Sequence, residues 1–130
     1  MTSELYERGL AMRRQVLGAE HVEKTLAGTD RYTQPLQDIV NEFCWGAVWA
    51  RPGLKPRERS MITVAMLVAL GHPQELRTHI RAALTNGVTR EEIMEILLHA
   101  NVYCGAPAAV DAFRGMREVY AALDAAEHDA

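Results

Sequence analysis

Glu75 and His79 stand four residues apart in Glu75-Leu76-Arg77-Thr78-His79, just past a long apolar run. On a helix that spacing stacks the two side chains on one face. A carboxylate beside an imidazole tunes the ring's proton affinity toward neutral pH, which suits proton transfer. The same spacing also describes an ordinary surface pair. A second set, Glu95, His99 and Tyr103, recurs at successive i,i+4 steps. It offers another imidazole and a phenol, although a histidine there is as readily satisfied by a backbone carbonyl. Trp45 and Trp49 share the four-residue spacing and read either as an apolar wall or as core packing. Cys44 and Cys104 form no CxxC and no Cys/His zinc spacing, so they are expected to be small buried hydrophobes.

The elements that must position these groups are helical. Periodicity of 3.6 recurs from end to end, punctuated by Gly and Pro, with no convincing strand. Ser3 caps a first helix that Gly18 closes. His21 to Ala27 forms a short second helix, and a third runs from about Thr33, with Pro35 in its first turn, to Trp49. Pro56 opens a fourth helix that ends at Gly71. Its second half, Met61 to Leu70, is apolar all round, so it must be covered on every side. A domain this small has trouble doing so alone, which points to a central core helix that also reaches a subunit interface. Pro73 starts a fifth helix ending at Asn86-Gly87, and Thr89-Arg90-Glu91-Glu92 is a capping box for a sixth. Pro107 begins a last helix that fades into a polar tail, Asp124 to Ala130.

Composition narrows the classes. The 130 residues fit one domain, 1–130, and 48% apolar residues suffice for a core. A net charge of -3 without a basic run argues against nucleic acid. The apolar run is far short of the ~20 residues that span a bilayer, and the first residues lack a signal-peptide pattern. A cytoplasmic protein is the expectation. There is no HExxH, no Cys/His cluster and no glycine-rich phosphate loop, so neither metal nor organic cofactor is expected.

Four blocks in order resemble the gamma-carboxymuconolactone decarboxylases. They are Phe43-Cys44-Trp45-Gly46-Ala47-Val48-Trp49-Ala50-Arg51-Pro52-Gly53-Leu54, Arg59 to Gly71, Glu75 to Thr89, and Leu97 to Ala109. The likeness runs from Tyr6 to about Phe113. It implies an all-α, AhpD-like bundle of about six to seven helices that assembles as a homohexamer. It also implies cofactor-free conversion of 4-carboxymuconolactone to the beta-ketoadipate enol-lactone and carbon dioxide, a step of protocatechuate breakdown. The related AhpD-like thiol peroxidases carry Cys-x-x-Cys-x-x-x-His behind a relay Glu. With the histidine at His79, the two cysteine positions fall on His72 and Glu75, and the relay position on Ser60. None matches, and thiolate chemistry requires the cysteines.

The implied reaction assigns tasks. The departing carboxylate sits on a ring carbon conjugated through a double bond to the lactone carbonyl. Its electron pair flows onto the carbonyl oxygen, so the substrate is its own electron sink. The protein must hold two carboxylates, stabilise the oxyanion and protonate ring carbon. Arginine's planar fork matches carboxylates, with Arg51, in the Trp-rich block, and Arg59 ahead of Arg57, Arg77 and Arg81. Trp45 would wall the pocket. His79, oriented by Glu75, would deliver the proton. His99 or Tyr103 would donate to the oxyanion, with Glu95 behind His99. A decarboxylase or isomerase of a related lactone, a thiol peroxidase and a non-catalytic helical assembly module are the competing readings.

Overall fold

The computed structural model describes residues 2–129, and all seven regular elements among them begin as α-helices. Two compact units emerge, one ending at Pro56 and one beginning at Arg57.

The first unit holds α1 (Glu4–Leu17), α2 (Ala19–Ala27) and α3 (Gln34–Ile39). Ser3 caps α1 by accepting a hydrogen bond from the Tyr6 amide, as its sequence position predicts. The third helix departs from expectation. It is α-helical only to Ile39, and Val40–Trp49 continues as a wider π-helical stretch, seen in the Ala50 amide bonding back to the Trp45 carbonyl at 2.9 Å. Nothing in the apolar pattern distinguishes the two windings, because the choice is made by packing. Helix α1 lies backbone to backbone on this stretch. A Cβ at Gly9 would overlap the Asn41 carbonyl oxygen, and one at Gly46 would overlap the Leu5 carbonyl. Glycine at both places therefore permits the approach.

A buried polar knot ties the same elements together. Arg13 is only 6% exposed, and its Nη1 donates to Gln37 Oε1 (2.9 Å) and Asn41 Oδ1 (2.8 Å). Asn41 Nδ2 in turn donates to the Tyr6 hydroxyl at 3.2 Å. Gln37 and Asn41 straddle the junction where the winding changes, so Arg13 clamps that junction. Burial away from water pulls the Arg13 guanidinium below its ordinary value.

The second unit holds α4 (Pro56–Leu70), α5 (Pro73–Thr85), α6 (Arg90–Cys104) and α7 (Ala106–His128). Its core gathers Val64 and Val68 of α4, Leu76 and Ile80 of α5, Ile93 and Leu97 of α6, and Val119 of α7. Burying each of the larger side chains contributes roughly 1.5–3 kcal/mol. The capping box at Thr89 and Glu92 is formed in both directions. Gly105, at φ 93°, turns α6 into α7 in a conformation other residues adopt only under strain.

Helix α4 turns Val64 and Val68 to the core while Ile62, Met66 (58% exposed) and Leu70 (68%) face outward, as expected of a chain with too few elements to surround a helix. Two expectations need correction. The cysteines are not buried, since Cys44 lies on the outer side of the π stretch and Cys104 at the exposed end of α6. The last helix does not fade at Asp124 but continues to His128, with Asp124 held by Arg90 at 2.7 Å. Sequence polarity there reports a solvated helix face rather than lost structure.

Candidate active site

The second unit carries an apolar pocket of about 590 Å³ between α4 and α6. Met61, Ile62 and Ala65 form one wall and Ile96 and Ala100 the other. The polar lining is the ladder expected from sequence: Glu95, His99 and Tyr103 project into it from successive turns of α6, joined by Glu92. The His99 and Tyr103 rings lie 5.1 Å apart between centroids, tilted by 39°. The tilt and separation are those of favourable aromatic pairs. Tyr103 is 78% exposed, so its hydroxyl stands at the mouth of the pocket.

Glu92 is fixed from three directions. It closes the cap of α6, accepts from the Thr89 amide at 3.0 Å, and pairs with Arg57 of α4. The Arg57 hydrogen bond first, and the Thr89 amide second, hold its carboxyl below the usual range. This pair bridges the two walls of the pocket. Sequence inspection offers no signal for it, because its members are 35 positions apart and lie on different helices.

The pair that opens the sequence argument sits elsewhere. His79 is half-buried on α5 and Glu75 is exposed one turn before it. Neither lines the α4–α6 pocket. Glu75 stands one helical turn before His79, so the two lie on neighbouring turns of α5. At the C-terminal end of α5, Asn86 Nδ2 donates to Ser60 Oγ at 2.9 Å. Ser60 is fully buried, and its hydroxyl is tied to the Asn86 amide.

Arg59 is half-buried on the first turns of α4. Arg77 is committed to Glu118 at 2.7 Å, whereas Arg81 is exposed. In the first unit, Trp45 is 5% exposed and stacks on Trp49, with centroids 4.8 Å apart and planes at 28°. Arg51 is exposed in the turn that follows the π stretch. His72 is exposed at the N-terminal boundary of α5, where its Gly-His-Pro setting places it.

The geometry can therefore provide an apolar chamber with two hydrogen-bonding rings at its mouth, and a separate half-buried imidazole on α5. Comparison with known proteins locates this chain. It is 44% identical to the 4-carboxymuconolactone decarboxylase of Acinetobacter baylyi over 115 residues, covering 88% of this chain and 86% of that protein. It is 43% identical to the nitrosuccinic acid decarboxylase npaB of Metarhizium robertsii over 108 residues, covering 83% of this chain and 76% of the other. The family model described as carboxymuconolactone decarboxylase matches residues 34–127, from the start of α3 into the last turn of α7. The chain belongs to the carboxymuconolactone decarboxylase family.

Proposed function

We propose that this protein is a cofactor-free carboxy-lyase that converts 4-carboxymuconolactone to the beta-ketoadipate enol-lactone and carbon dioxide. The observation that carries the proposal is the 44% identity with a 4-carboxymuconolactone decarboxylase across most of both chains. The pocket supports it chemically. Releasing neutral carbon dioxide from a carboxylate is favoured where water is scarce, and the walls of the α4–α6 pocket are apolar.

In this mechanism the carbon–carbon bond to the departing carboxylate breaks, and its electron pair moves through the ring double bond onto the lactone carbonyl oxygen. His99 or Tyr103 donates a hydrogen bond to that oxygen as its charge grows, and Glu95 orients the imidazole. We assign the proton that the ring carbon then takes to His79, which lies on α5 outside the α4–α6 pocket with Glu75 one turn before it. Arg59, on the first turns of α4, is assigned to a carboxylate, and within the first unit Arg51 and Trp45 are the candidates for carboxylate binding and an apolar wall. The enzyme works as a homohexamer in the cytoplasm. The outward Met66 and Leu70 of α4 support assembly, and no described helix is long and apolar enough to cross a membrane.

The relative that acts on nitrosuccinic acid defines the shared chemistry. Both compounds are succinates substituted at the carbon that loses its carboxyl group. In one the conjugated lactone accepts the electron pair, and in the other the nitro group does. The second carboxylate is retained in each case. We therefore expect the site to read the succinate skeleton and to tolerate variation in the acceptor. The test is carbon dioxide release from 4-carboxymuconolactone and from nitrosuccinate with purified protein. Turnover of the lactone establishes the proposal, turnover of nitrosuccinate alone transfers it to the second substrate, and turnover of neither refutes it.

A further inference from the structure

We infer that Arg57 is a substrate-binding residue whose guanidinium leaves Glu92 when the dicarboxylate arrives and takes the retained carboxylate in its place. Glu92 is then the internal stand-in that the substrate displaces. The inference rests on the proposed decarboxylation of a dicarboxylate, and it concerns how the second anionic group is held.

The position of the guanidinium carries the argument. Arg57 lies in the first turn of α4 and is not itself in the pocket lining, yet both its terminal nitrogens touch side chains that are. Nη1 donates to Met61 Sδ at 3.4 Å on the α4 wall, and Nη2 donates to Glu92 Oε2 on the α6 wall. The cation therefore stands at the edge of the pocket. Its hold on Glu92 is a single-point one, because Glu92 Oε1 is turned to the Thr89 amide at 3.0 Å. The two-point grip that a guanidinium offers a carboxylate is not used.

The exchange is favourable for two reasons. The side chains of Arg57 and Glu92 are 39% and 37% exposed, and an ion pair so placed is weakly held. A carboxylate that has entered the apolar pocket has lost its water, so pairing with a guanidinium stabilises it more than it stabilises a hydrated one. The displaced group is also provided for. The Thr89 amide keeps Glu92 in the cap of α6, and solvent reaches the oxygen that Arg57 gives up. Neither carboxylate ends buried and unpaired. Arg59, two positions along the same helix, is assigned to the other carboxylate of the substrate.

Calorimetry with methylsuccinate tests the inference without requiring turnover. Arg57→Met is expected to bind it at least about tenfold more weakly than the wild type. Glu92→Gln removes the competing charge, while glutamine still serves in a capping box. It is expected to bind methylsuccinate as tightly as the wild type, or up to about fivefold more tightly. A bridge that only held the two helices together would weaken binding in both variants. Arg57→Met binding within about twofold of wild type, or Glu92→Gln binding more weakly than wild type, overturns the inference. Arg57→Gln, which can still donate to Glu92, gives the same readout if Arg57→Met does not fold. A wild type that does not bind methylsuccinate also overturns it. If the wild type releases carbon dioxide from neither substrate while binding keeps the expected order, the proposed reaction fails and the carboxylate site stands.

Discussion

Replacing His99 with alanine separates catalysis from stability. The ring leaves the mouth of the α4–α6 pocket and the hydrogen bond it offers to the oxyanion is lost. Removing one such donor lowers turnover by about 10²–10³, equivalent to roughly 3–4 kcal/mol of transition-state stabilisation. The structural cost is small by comparison. His99 is exposed, and its one ring contact is with Tyr103, itself 78% exposed. An aromatic pair adds at most about 0.5–1.5 kcal/mol, and solvent on both rings places this one at the low end. The core side chains Ile93 and Leu97 of α6 do not line the pocket that His99 lines. The expected result is a fall of at least a hundredfold in kcat/KM with a Tm within about 3 °C of wild type. Carbon dioxide release and thermal melting followed by circular dichroism measure the two quantities. A kcat/KM within fivefold of wild type would remove His99 from the chemistry. A comparable loss in stability would show that the ladder of α6 is structural. Tyr103→Phe then apportions the donor role, because it keeps the ring and deletes only the hydroxyl.

His79→Ala is expected to lower turnover by at least a hundredfold with the helical signal intact, and near-wild-type kinetics would exclude it as the acid. The double variant Cys44→Ser, Cys104→Ser is expected to retain decarboxylation; its complete loss in a folded protein would revive a thiol mechanism. Gly46→Ala is expected to destabilise the protein by at least about 1–3 kcal/mol in denaturant unfolding, because its Cβ would overlap the Leu5 carbonyl oxygen; an unchanged midpoint would show that α1 does not rest on the π stretch. Glu92 titrates below its ordinary value of 4.5 because of Arg57 and the Thr89 amide. Its contribution to stability is therefore complete above about pH 4.5 and declines as pH falls through the lower folded value, so Glu92→Gln is expected to flatten the acid limb of the stability profile.

The amino-acid sequence by itself determined what is local. Apolar periodicity, prolines in first turns, a capping box and terminal glycines place the helices within a few positions, because each signal acts over a single turn. The i,i+4 ladder Glu95, His99, Tyr103 was legible for the same reason: its members share one helix face wherever that helix packs. The family was legible too, since four motif blocks survive in order.

Tertiary structure decided what depends on partners distant in the chain. The π winding of Val40–Trp49 follows from the clamp of Arg13 on Gln37 and Asn41 and from the glycine contacts with α1, none of which periodicity encodes. The Arg57–Glu92 bridge across the pocket joins residues 35 positions apart. The pocket exists because α4 and α6 face each other, and the same arrangement leaves one side of α4 in solvent. An all-apolar helix announces that every face wants cover. Only the packed chain reveals which face its own elements leave bare, because burial is a property of neighbours in space and not of neighbours in sequence.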